Sequence, residues 1–107
     1  MAIFKISEQI KEYNLEDFIS KLRNVYIFGT GIGGTEIFNC LSSHGVIVKA
    51  FLDFELYRGC QKHGLDILLP LKEDCKIKKE NCTIIIAIFN REVDISNLIN
   101  SLREAGF

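Results

Sequence analysis

The residues of this chain best suited to chemistry are glycines. Gly29-Thr30-Gly31-Ile32-Gly33-Gly34 contains the spacing G-x-G-x-x-G at Gly29, Gly31 and Gly34. It follows the apolar run Val25–Phe28 and precedes Thr35–Ser43, where Ile37, Phe38 and Leu41 recur at helical spacing. In such a strand-turn-helix the first glycine makes the tight turn, the second lets the backbone approach a phosphate, and the third lets the helix pack closely on the strand. The helix start then offers amide N–H groups and a partial positive charge to an anion. Asp53 closes the next apolar run, Val46–Asp53, about 20 residues further on, where an acid can accept hydrogen bonds from ribose hydroxyls. Asn90 and Arg91 follow a third apolar run, Thr83–Phe89, and are expected to face the same crevice, with Arg91 offering a planar fork of donors. The competing reading is structural: glycines that only build a turn, Asp53 as a strand-ending residue, Asn90 as a helix cap and Arg91 as a solvated side chain.

The remaining reactive residues form no such pattern. Cys40, Cys60, Cys75 and Cys82 contain no CxxC pair, and Cys60 with His63 gives one metal-like step without the paired ligands of a structural zinc site. The cysteines are expected to be free thiols, with Cys40 and Cys82 partly buried. His44 sits at a helix end, His63 has no acid at a fixed spacing, and no Ser-His-Asp arrangement occurs, so no catalytic residue and no metal ligand is assigned. Tyr57, Arg58 and His63 are candidates for a lid.

The elements that must position the glycines are legible as an alternation. The apolar runs at 25–28, 46–53 and 83–89 lack polar alternation, as expected of parallel strands covered on both faces. Helical periodicity fills 35–43 and 93–105, with glycine stops at Gly45 and Gly106. Between the second and third runs, Gly59 and Gly64 signal turns, Leu65–Leu69 a short strand, Pro70–Asp74 a short helix and Lys76–Glu80 a solvated connection. Ahead of the core, Ser7–Tyr13 and Leu15–Leu22 read as two short helices, with Asn14 starting the second. The expected architecture is an α/β, Rossmann-like open parallel sheet with helices on both faces. A helical leader over residues 1–23 precedes a core over 24–107, all in one domain. Because the chain stops after a helix, where a further strand would normally follow, it reads as part of a longer protein.

Composition excludes several partners. The 107 residues are 48% apolar and 25% charged with a net charge of −1, which gives no electrostatic reason to expect nucleic acid or an acidic membrane surface. No apolar run reaches the roughly 20 residues of a membrane span, and the first residues lack a signal peptide's basic and apolar regions, so a cytoplasmic location is expected.

Taken together, Val25–Gly34, the strand end Val48–Asp53, Gly64–Ile67 with Leu69-Pro70, and Ile84–Arg91 resemble the N-terminal Rossmann-like domain that precedes the catalytic domain of FkbM-type methyltransferases of polysaccharide and natural-product biosynthesis. A related domain opens the PglD-type sugar acyltransferases, where it holds a nucleotide sugar. The resemblance covers residues 24–107. It implies a phosphate site at Gly29, Gly31 and Gly34, a nucleoside or sugar site at Asp53, and a catalytic domain located C-terminal to this segment. Two other readings stand beside it: an NAD-binding fragment of an oxidoreductase, and a structural or dimerising domain with Phe4, Phe18 and Phe107 as partner-facing residues. The same glycines also fit G-x-G-x-G, the S-adenosylmethionine loop, less well, because Ile27 stands where that motif carries an acid.

Overall fold

In the computed structural model, which describes residues 2–5, 15–56, 59–88 and 93–107, the chain forms β1 (Ala2–Lys5), α1 (Leu15–Ser20), β2 (Val25–Phe28), α2 (Ile32–Ser43), β3 (Val48–Leu52), β4 (Gln61–Lys62), β5 (Leu65–Leu68), a 3-10 turn (Lys79–Asn81), β6 (Thr83–Ile86) and α3 (Ile95–Glu104). The strands make one sheet in the order β1-β6-β2-β3-β5-β4. All neighbours run parallel except β4, which pairs antiparallel with β5.

Apolar strands with no alternation dictate two covered faces, and two cores result. On one face Phe18 from α1, Leu22 just after it and Leu41 from α2 pack over Val25, Ile27, Phe51 and Ile85. On the other, Leu98 and Leu102 of α3 cover Phe28, Leu52, Ile84 and Ile86. Each such side chain, fully buried, contributes about 1.5–3 kcal/mol. The α/β expectation therefore holds, with helices on both faces.

Several elements differ from their sequence reading. The first residues form a strand rather than part of a helical leader: Ala2–Lys5 pairs with Thr83–Ile86 and occupies the place beside β6 where a strand following α3 would lie. The stretch expected as the first leader helix, and Asn14, lie outside the described residues. The second leader helix is present as Leu15–Ser20. Helix α2 starts at Ile32, three residues before the expected Thr35, so Gly33 and Gly34 form its first turn despite costing about 1 kcal/mol each against alanine. Packing of Leu41, Ile37 and Phe38 on the sheet outweighs that propensity. Pro70–Asp74 forms turns, closed by Lys72 N–H to Leu69 O (3.2 Å) and Cys75 N–H to Lys72 O (3.1 Å), instead of a helix. The connection after it is not wholly solvated, because Ile77 enters the second core. A hairpin not anticipated from the sequence joins β4 to β5 through His63 and Gly64, whose positive φ values of 52° and 78° suit a tight two-residue turn.

Asp94, not Asn90, caps α3: its carboxylate accepts from the Asn97 N–H at 3.1 Å. Replacing Asp94 by alanine is expected to lower stability by about 1 kcal/mol, read as a shifted urea midpoint with an unchanged slope.

Candidate functional site

The glycine turn sits at the carboxyl ends of β2, β3 and β6. The Gly29 N–H donates to Leu52 O (3.0 Å) and the Ala87 N–H donates to Phe28 O (2.8 Å), which stitches the end of β2 to both neighbours. Strand order reverses at β2: the chain passes through α2 to β3 on one side, while β6 and its helix α3 lie on the other. In open parallel sheets such a reversal leaves a crevice at the strand ends.

Each glycine of the G-x-G-x-x-G spacing has a distinct local task. Gly29 has φ +127°, and a Cβ there would lie 2.9 Å from Ala87 O. Gly34 is in the first turn of α2, and a Cβ there would lie 2.1 Å from Gly29 O, so the helix rests directly on the turn. Gly31, with φ −91°, is the N-cap of α2. It supplies no side-chain cap, and the first turn holds no acidic residue. The first N–H group to donate back along the helix is that of Thr35, to Gly31 O at 3.2 Å. The preceding first-turn amides have no intrahelical acceptor by geometry, and no side chain caps the helix from the N-cap position. Gly31 and Gly33 are half-exposed and Ile32 is 80% exposed, so its bulky side chain stands out in solvent.

Asp53 joins this loop through a contact that spacing alone did not reveal. Thr30 is only 2% exposed, and its hydroxyl donates to Asp53 Oδ2 at 2.9 Å. The other carboxylate oxygen accepts the Phe54 N–H at 2.8 Å. The acid is thus tied to the glycine loop and retains lone pairs for further donors. Nothing in the sequence distinguishes Thr30 from a solvent-facing loop threonine; its burial follows from the turn at Gly29.

Beside Asp53 lies a hollow of about 330 Å³. Its walls include Phe28 and Phe54, which meet edge to face at 4.9 Å, and Ile88. Asp94, Asn97 and Ser101 reach it from α3, residues that the sequence reading did not assign to the site. Among the described residues no basic side chain lines the hollow, whereas two carboxylates do. It therefore suits hydroxyl or amine donors, while an anion is better placed on the bare helix end across the loop.

Asn90 and Arg91 lie outside the described residues, as do Tyr57 and Arg58. The chain leading to Asn90 leaves β6 beside the turn: the Ile88 side chain would stand 3.3 Å from a Cβ on Gly29. His63 sits against α2, its ring stacked on Phe38 (5.0 Å between centroids, 3° apart in plane) and its Nε2 3.1 Å from Thr35 Oγ1. The four cysteines are free; Cys82 is buried, Cys40 and Cys75 are half-buried and Cys60 is exposed. Burial pushes the Cys82 thiol up, with the nearby Glu80 carboxylate adding to it. Among the described residues no three His, Cys, Asp or Glu side chains gather where a metal would need them, and no helix is long and apolar enough to cross a membrane. No family model, curated protein or solved structure matches the chain.

Proposed function

We propose that the chain is a Rossmann-like module that binds a nucleotide or nucleotide sugar and serves a catalytic domain, of the FkbM methyltransferase kind, carried elsewhere. The observation that supports this most is the start of α2. No side chain caps it from the N-cap position, Gly31 and Gly33 are half-exposed and put no side chain over its first turn, and it stands where the strand order reverses, next to an acid fixed by Thr30. In this reading the diphosphate lies over Gly31–Gly33. Ribose or sugar hydroxyls donate to Asp53 and enter the adjoining hollow, whose volume is at the small end of the range for ligand sites. Asn90 and Arg91, which lie outside the described residues, are assigned to the phosphates on the sequence reading alone. The chemistry of methyl transfer belongs to the other domain; recognition belongs here.

A thermal-shift panel of UDP- and GDP-sugars, NAD(H), NADP(H) and S-adenosylmethionine tests this. A ligand at 100 times its dissociation constant adds about 2.7 kcal/mol to stability. Stabilisation by a nucleotide sugar alone is the expected result. Stabilisation by NAD instead selects the oxidoreductase reading, and no shift with any of them selects a structural domain. Gly31 lies outside the left-handed region, so Gly31→Val tests backbone approach without forcing the turn. It is expected to abolish the shift, and Asp53→Ala to reduce it; a Gly31→Val variant that binds as tightly as the parent disposes of the assigned phosphate loop.

A further inference from the structure

The crossover from β5 to β6 is the one long connection on the α3 side of the sheet whose described backbone contains no α-helix, only turns and the 3-10 turn Lys79–Asn81. A parallel sheet needs both faces covered, and an irregular strap covers less than a helix does. Under it remains a hollow of about 520 Å³, larger than the one beside Asp53 and sharing no lining residue with it. Its walls include Leu68, Leu69 and Ile77, with the Tyr26 side chain reaching in from β2. Lys72, Asp74 and Lys76, all exposed, stand around it.

Two features point to a ligand. Among the described residues no hydrogen bond engages the Tyr26 hydroxyl, and because no buried polar side-chain atom there lacks a partner, the hydroxyl is open to the hollow and available to donate. Desolvation by burial, and then the nearby Cys82 and Cys75, raise its pKa above the ordinary phenol value, so at neutral pH it is an O–H donor. Lys72 and Lys76 form no ion pair among the described residues. Among the described lining residues two ammonium groups face one carboxylate, that of Asp74, for a net charge of +1, which matches a monoanion and argues against a polyphosphate.

We propose that this second hollow binds a small organic monocarboxylate, with its apolar chain or ring against Leu68, Leu69 and Ile77 and its carboxylate facing donors from Tyr26, Lys72 and Lys76. The site is independent of the nucleotide reading and stands or falls without it.

The probe is decanoate, below its micellar concentration, titrated into the full 107-residue chain labelled with nitrogen-15, with decanol and decylammonium as neutral and cationic counterparts. Decanoate is expected to move the amide signals of Tyr26, Leu68, Leu69 and Ile77 and to bind more tightly than either counterpart. The double variant Lys72→Ala/Lys76→Ala removes only exposed side chains and keeps the fold. It is expected to weaken decanoate by about fivefold to tenfold while leaving decanol unchanged. Tyr26→Phe is expected to weaken decanoate by a smaller factor at an unaltered melting temperature. The proposal is overturned if decanoate does not bind, if the perturbed signals centre on the exposed Ile32 and Ile47, or if decanoate and decylammonium bind equally. It is also overturned if the lysine variant binds decanoate as the parent does.

Discussion

Gly34→Ala is expected to be the most damaging conservative substitution in the glycine loop. The added methyl carbon would stand 2.1 Å from Gly29 O and 3.1 Å from Gly29 C, and both are backbone atoms that cannot swing aside as a side chain can. Only a shift of α2 away from the turn relieves the overlap. That shift would break the packing of Leu41, Ile37 and Phe38 over Phe51 and Val25. Overpacking of well-ordered sites costs about 1–3 kcal/mol, and contact with main chain this close places the expected loss at roughly 3 kcal/mol or more. For a domain of this size that lowers the melting temperature by roughly 10–25 °C. Alanine is the better helix former, by about 1 kcal/mol, so intrinsic propensity alone predicts a gain. Circular dichroism melts of the parent and the variant decide between the two: a variant as stable as the parent, or more so, means that α2 does not rest on the turn.

The parts of the molecule legible in the sequence are those where one physical rule dominates. Thr83–Ile86 and Val25–Phe28 have no alternative to burial on both faces, and α3 shows an unbroken helical period, so their type and order emerge from pattern alone. Where two rules compete, the reading slips. Gly33 and Gly34 disfavour helix locally, yet tertiary packing draws them into α2. Pro70 signals a helix start, but Pro70 itself is buried and Cys75 and Ile77 pack into the second core, and the chain turns instead. Ala2–Lys5 is too short to declare itself as a strand, and its partner lies at the far end of the sequence, beyond the reach of a local pattern. For the site, spacing brought Gly29, Gly31, Gly34 and Asp53 to one end of the sheet. It left unseen the Thr30 hydroxyl that binds Asp53, and Asp94, Asn97 and Ser101 beside it, because such contacts depend on how α3 packs.

Gly29→Ala is expected to cost a comparable amount for a different reason. At φ +127° the backbone occupies a region that side chains strongly disfavour, a strain of about 1–3 kcal/mol. The new Cβ would also press on Ala87 O at 2.9 Å, at the end of β6. The strain comes from the residue's own torsions, whereas the fault in Gly34→Ala lies between helix and turn. The two are nevertheless coupled, because the atom that Gly34→Ala strikes is the carbonyl oxygen of Gly29 itself. If Gly29→Ala moves that peptide to escape its strain, part of the clash at position 34 disappears with it. The double variant is therefore expected to be destabilised by less than the sum of the single losses, with an interaction of about 0.5–3 kcal/mol. Urea denaturation of the four proteins in one cycle measures it. Strict additivity would mean that turn and helix start respond as separate units, and that the close approach between them does not hold the first-turn amides in place for an anion.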